Sequence, residues 1–208
     1  YGALALAQAV ERGDLGDVQM LVRPHPLHDH TTLSELFKNA GGRIHLQQTA
    51  IAGTPVSLRS QDEQQIREWV NTFRHAAVVV NLSSTVAVDA AICDKPVVNL
   101  DFDPSAGQPD QDLIKEINHR WTHFSPIAES DGLWLVNDTS EMIQAVRTYL
   151  KNPGLHREGR RWITKYVCQY PDGACGVRMA AAIGQFLDSE LDESAAGAPL
   201  APKHVFAS

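Results

Sequence analysis

The sequence predicts a doubly wound α/β domain with a mainly parallel sheet, and three observations predict it. The first is the stretch from Ala76 to Asp103, AAVVVNLSSTVAVDAAICDKPVVNLDFD, which reads as strand, small polar turn, helix and strand without a break. Val78 to Val80 and Val97 to Leu100 are continuous apolar runs, as expected of parallel strands buried on both faces. The second is that strand-like and helix-like patterns alternate along almost the whole chain. The third is composition: 208 residues, 43% hydrophobic and 21% charged, suit one domain with a sizeable core.

The elements follow in order. Leu4 to Val10 is a first helix, and Val18 to Val22 is a strand ending in Arg23-Pro24-His25-Pro26. Thr31, Thr32 and Ser34 are cap candidates for a helix from Leu33 to Lys38. A short strand, Arg43 to Leu46, follows Gly41-Gly42, and Gln48 to Arg59 is polar or broken and reads as loop. From Asp62 the spacing of Ile66, Trp69, Val70 and Phe73 at i, i+3, i+4 and i+7 predicts an amphipathic helix. Ser83, Ser84 and Thr85 then open the helix between the two valine-rich strands. Pro104 to Asp112 is a turn-rich loop and Leu133 to Val136 a last strand. Asp138 and Glu141 are placed for a capping box ahead of a helix from Met142 to Leu150, which Asn152-Pro153-Gly154 stops. His156 to Tyr166 and Val177 to Leu187 are two further amphipathic helices. The expected organisation is a nucleotide-binding domain over residues 1–187 and a flexible tail over 188–208, where Ala, Gly, Pro and Ser dominate without periodicity. Trp69, Trp134, Trp162 and Cys93 fall at apolar positions and are expected in the core.

Charge and cysteine usage exclude several classes. A formal charge of −7 with no basic stripe argues against nucleic acid as a partner, because counterion release needs a basic face. Three cysteines without metal-like spacing suit a reducing compartment, so the expected localisation is cytoplasmic. No run of about 18 apolar residues and no signal-like N-terminus occurs, which leaves only peripheral contact with the inner face of a membrane. The nucleophile elbow, the Walker loop and G-x-G-x-x-G are all missing from the sequence. A fold of this kind winds outward from a central first strand, yet the chain opens inside a helix. The expectation is an upstream strand, and an upstream domain, ahead of Tyr1.

Arg23-Pro24-His25-Pro26 at a strand end, Ser83-Ser84-Thr85 after the next long helix and strand, Asp89 one turn on, and Lys95-Pro96-Val97-Val98-Asn99-Leu100 carry a resemblance. Together with Asn152-Pro153, Arg160-Arg161, Asp172-Gly173, Arg178 and Phe186-Leu187, they resemble the C-terminal nucleotide-binding domain of GT-B glycosyltransferases over about Val18 to Leu187. The nearest in character are CDP-glycerol glycerophosphotransferases and surface-polysaccharide transferases; UDP-N-acetylglucosamine 2-epimerases share the domain plan. The resemblance implies a CDP- or UDP-linked sugar or alditol as substrate, no separate cofactor, no metal, and an N-terminal acceptor domain as partner.

His25, held by two prolines where open α/β sheets bind ligands, is the candidate catalytic residue, stabilising phosphate charge on the leaving nucleotide. A loop histidine satisfied by a carbonyl is the alternative. Arg23 is a candidate for bidentate phosphate contact or for a surface ion pair. Ser83, Ser84 and Thr85 exceed what one helix cap requires and are candidates for phosphate or ribose contact. Asp89 reads either as a ribose ligand or as a carboxylate favoured by the helix dipole. Asp101-Phe102-Asp103 matches a D-x-D metal clamp, but its place before Pro104 favours loop-capping aspartates. The spacing of His25, His28 and His30 with Asp29 makes a zinc cluster improbable, and His119 and His123 are an i, i+4 pair that lines a cleft or lies on the surface. The favoured function is the donor-binding half of a glycosyl- or glycerophosphotransferase. The alternatives are a UDP-sugar 2-epimerase and a non-catalytic nucleotide-binding or interaction domain.

Overall fold

Apolar runs and amphipathic stretches alternate in this chain, and the elements they form are mostly those the pattern dictates. The computed structural model describes residues 2–24, 30–47, 62–104 and 111–195. In chain order these form α1 (Gly2–Glu11), β1 (Met20–Val22), α2 (His30–Phe37), β2 (Ile44–Leu46), α3 (Glu63–His75), β3 (Val79–Asn81), α4 (Val86–Ile92), β4 (Val97–Leu100), α5 (Gln111–His119), α6 (Ser125–Ala128), β5 (Trp134–Val136), α7 (Thr139–Lys151), α8 (Arg157–Cys168) and α9 (Cys175–Ala195). α5 and α6 add to the expected elements. The loop expected over Gln48 to Arg59 lies outside the described residues, as does most of the one expected over Pro104 to Asp112.

The caps explain where two helices begin. Asp62 accepts from the Gln65 amide at 2.8 Å, and the Gln65 side chain accepts from the Asp62 amide at 3.2 Å, so α3 opens with a complete capping box. Asp138 accepts from the Glu141 amide in the same way, but the Glu141 carboxylate reaches back to the Asn137 amide at 2.8 Å instead of to Asp138.

Among the described residues all strand pairing is parallel. β1 and β2 form one sheet, with Met20 opposite Ile44, and β3, β4 and β5 form another, with Asn81 opposite Asn99 and Leu100 opposite Val136. The four residues of β4 are all buried, as the apolar run requires of the strand in the middle of its sheet. Alternation along the strands separates two faces. Met20, Val22, Val80, Val98 and Leu100 join one core cluster with Leu6, Val10, Phe37, Met142, Val146 and Tyr149, which places α1, α2 and α7 on that face. α4 contacts β3 and β4, and α3 contacts α4, on the other. The architecture is therefore the doubly wound α/β class.

Two close approaches hold α8 in place. A Cβ on Gly159 would meet the Asp131 carbonyl carbon and the Gly132 nitrogen at 2.3 Å, and a Cβ on Gly132 would meet the Gly159 carbonyl carbon at 2.6 Å. Backbone therefore touches backbone just ahead of β5, where only glycine fits. Gly159→Ala is expected to cost about 2–3 kcal/mol by forcing the two segments apart, read as a lowered urea midpoint at unchanged slope. α8 turns Arg160 and Ile163 inward and leaves the other flank to solvent. This corrects the expectation of a core tryptophan at Trp162, which is 44% exposed and stacks on Tyr166 at 4.7 Å. Trp69, Trp134 and Cys93 are only half-buried.

By contact the chain divides into two units, Tyr1–Val167 and Cys168–Ser208. In the second, α9 continues past Asp188 to Ala195. The Asp172 carboxylate accepts from the Ala174 amide and pairs with Arg178, whose guanidinium lies 4.6 Å from the centre of the Tyr170 ring.

Candidate functional site at the carboxyl ends of β3 and β4

The neighbouring strands β3 and β4 carry the same short text, Val79-Val80-Asn81 and Val97-Val98-Asn99, and parallel pairing sets the two asparagines side by side. A polar pair inside an apolar sheet has to be satisfied, because a buried unpaired amide costs about 1–3 kcal/mol. It is satisfied by a network. Asn81 Nδ2 donates to the Ser84 carbonyl at 2.9 Å and to Asn99 Oδ1 at 3.3 Å. Asn99 Oδ1 also accepts from the Ser83 amide at 3.1 Å, and Asn99 Nδ2 donates to Asn118 Oδ1 at 2.9 Å.

Asn118, on α5 and fully buried, is the hub. Its Oδ1 also accepts from the Ser83 hydroxyl at 2.9 Å, while its Nδ2 donates to the Leu100 carbonyl at 3.1 Å and to Asp101 Oδ1 at 2.8 Å. The next residue, His119, points its Nε2 at both Asp101 oxygens, at 3.0 and 3.1 Å. Because a carboxylate only accepts, Nε2 carries the proton and Nδ1 is left as the ring's second polar atom. Asp101 is 8% exposed and His119 projects toward solvent from it.

The network acts on the Ser83-Ser84-Thr85 turn. Ser83 adopts φ 44°, the left-handed region that a residue with a Cβ rarely enters, and it is held there by Asn99 and Asn118. Its hydroxyl therefore points into the protein. Ser84 Oγ accepts from the Val86 amide at 3.3 Å, and Thr85 precedes α4 without a side-chain cap bond and is exposed. Of the three candidates, Ser83 locks the turn, and Ser84 and Thr85 are the ones presented outside it.

Arg23 and Asp89 come together through a residue read only as core. The Arg23 guanidinium lies 4.6 Å above the Trp69 ring and donates to Gln47 Oε1 at 3.1 Å and Thr72 Oγ1 at 2.9 Å. Burial pulls its pKa below the usual arginine range, and Glu68 partly offsets this. The Asp89 carboxylate accepts a hydrogen bond from the Trp69 side chain, and burial nevertheless raises its pKa. α3 thus ties the end of β1 to α4. A raised pKa means that folding favours protonated Asp89, so its contribution to stability is greatest below the ordinary aspartate range and is lost as the pH rises through the folded-state value. Asp89→Asn, whose amide oxygen still accepts from Trp69, is expected to melt above the parent at pH 7, with the gap closing as the pH falls below about 4.

His25, with His28 and Asp29, lies outside the described residues. Among the described residues no group of three His, Cys, Asp or Glu side chains is placed to hold a metal. Asp101 of the D-x-D pattern is engaged with Asn118 and His119. A cleft of about 420 Å³, lined by Ala77, Cys93, Lys95, Pro96 and Arg157 among others, opens at the amino ends of β3 and β4. It is at the opposite end of the strands from the network, where α/β sheets do not place their ligands. Among the described residues no helix is long and apolar enough to cross a membrane. No family model, curated protein or solved structure matches this chain.

Proposed function

We propose that this chain is the donor-nucleotide-binding half of a glycosyl- or glycerophosphotransferase in surface-polysaccharide synthesis, working in the cytoplasm or against the inner face of the membrane. The observation that carries the reading is the locked Ser83-Ser84-Thr85 turn. Three buried asparagines, Asn81, Asn99 and Asn118, hold one strained turn at the carboxyl ends of two parallel strands, and buried Asp101 fixes Asn118. Their burial is costly, and what it secures is the position of a few polar groups at the edge where open α/β sheets bind nucleotides.

In this reading Ser84 and Thr85 hold phosphate or ribose oxygens. His25, which follows β1 in the sequence, stabilises the charge that develops on the nucleotide's phosphate as the bond to the sugar or alditol breaks. Arg23 and Asp89, braced through Trp69, set the shape of that edge. The base that activates the acceptor comes from the acceptor-binding half.

The isolated chain is expected to bind CDP or UDP weakly in calorimetry. His25→Ala is expected to lose about 1.5–3 kcal/mol of that affinity if the imidazole is charged, and Ser84→Ala less. Chelator is expected to leave the affinity within about twofold, since a metal bridging carboxylate and diphosphate is not part of the site. The reading fails if neither nucleotide binds, or if both variants bind as the parent does. A strong magnesium or manganese requirement would return the D-x-D pattern to the site, and turnover of a UDP-sugar without acceptor would identify an epimerase.

A further inference from the structure

The two sheets stop at edges that match one another. Met20 N–H donates to the Arg43 carbonyl and the Val22 carbonyl accepts from Gln47 N–H, so Met20 and Val22 turn their backbone groups toward β2. Backbone direction alternates along a strand, so Leu21, between them, turns its N–H and C=O the other way. By the same rule Val79, whose N–H donates to the Pro96 carbonyl, faces β4, and Val80 faces away from it. No described strand pairs with either of these edges.

Both edges belong to one layered body. Met20 and Val22 on one side, and Val78 and Val80 on the other, pack against the same core cluster under α1 and α7. On the opposite face, Leu21 is 48% exposed, and α3, the helix that crosses from β2 to β3, leaves Ile66 and Val70 exposed by 48% and 40%. Val79 and Val80 of β3 stay half-buried although Val97 and Val98, their partners on β4, are fully buried. An apolar strand between β1 and β3 would face the α1/α7 layer on one side and Leu21 and the α3 stripe on the other.

The start of α1 indicates where such a strand would end. Gly2 sits against Pro104 and Leu100, at the carboxyl edge of the sheet, and α1 then contacts β1 on its way to it. A helix that begins at the carboxyl edge and leads into a parallel strand is the second half of a β–α–β unit, whose first strand lies beside the second.

We propose that the space between β1 and β3 is the seat of a sixth parallel strand, apolar on both faces and joined through a short turn to α1 at Tyr1. It unites the two sheets in the order β2, β1, added strand, β3, β4, β5. Its carboxyl end lies between Arg23 and Ser83, which makes that edge the point where the strand order reverses. Backbone polarity and exposed apolar surface define this seat, whether or not a nucleotide binds beside it.

The test compares the 208-residue chain with one extended before Tyr1 by five β-branched residues and a Gly-Ser turn, and with the same extension carrying a central proline. The β-branched extension is expected to raise the melting temperature by several degrees and to slow amide exchange at Leu21 and Val80 at least about tenfold; the proline control is expected to do neither. The same five residues added as a free peptide give a second readout should the fusion precipitate. Three results overturn the proposal: equal behaviour of the two extensions, protection of Leu21 and Val80 already present in the 208-residue chain, which would mean its own residues fill the space, or protection that grows with protein concentration, which would mean a second copy does.

Discussion

Asn118→Ala is expected to cost about 3–4 kcal/mol and to remove nucleotide binding with it. The substitution takes away four hydrogen bonds at once. Asn99 Nδ2 loses its acceptor in a fully buried position, and the Ser83 hydroxyl is left with only a long contact to the Leu100 carbonyl at 3.4 Å. Asp101 keeps His119 but loses its amide donor. Each buried group left unpaired costs about 1–3 kcal/mol, and the cavity left by the side chain adds to this. A domain stabilised by about 5–15 kcal/mol survives such a loss, so binding can be read on folded protein. Without Asn118, Ser83 has less reason to stay in the left-handed region, and the turn relaxes away from the geometry that presents Ser84 and Thr85. Urea unfolding measures the first effect and calorimetry with CDP or UDP the second. A folded Asn118→Ala protein that binds nucleotide as tightly as the parent would show that the turn is not the ligand site.

Arg160→Ala is expected to cost about 3–5 kcal/mol, with α8 loosening first. Arg160 is fully buried, and its guanidinium is fixed by the Asp94 carboxylate at 3.0 Å and by the carbonyls of Leu155 at 2.6 Å and Pro153 at 2.9 Å. It therefore clamps three segments: α8, the turn that ends α7, and the turn between α4 and β4, where Asp94 sits at φ 51°. Removing the cation leaves two inward-turned carbonyls and a cavity, which places the change among losses of one partner from a buried ionic cluster. Amide exchange across Arg157 to Cys168 is expected to rise before the global transition. Unchanged exchange there, with a stability loss under about 1 kcal/mol, would mean that the clamp is dispensable.

The strands and most helices were legible in the sequence because their signals are local. Val97 to Leu100 has the bounds expected, since a four-residue apolar run after a proline has few alternatives. Asp62 and Asp138 mark their helices because a cap bond spans only three residues. α5 was not legible: its apolar residues, Leu113, Ile114 and Ile117, are too few to set a period against the turn-rich stretch before them. With α5 went Asn118, the hub of the candidate site, while His119 was legible only as half of an i, i+4 pair with His123. The one signal that pointed to it was the repeated Val-Val-Asn, a polar residue at the same offset in two apolar strands.

The sequence by itself determined which segments are strands and most of those that are helices, that the strands run parallel, and that a polar turn rich in hydroxyls follows β3. These depend on period, capping and turn chemistry within about ten residues. Only the tertiary structure decided what those side chains do. It turned the Ser83 hydroxyl inward, stacked Arg23 on Trp69 and tied Asp89 to it, and buried an arginine read only as part of a closing motif. Each of those outcomes joins residues between 16 and 66 positions apart. A hydrogen bond between distant residues is chosen by which elements pack together, and packing is set by the apolar faces of whole helices and strands, not by the polar residues that meet as a result.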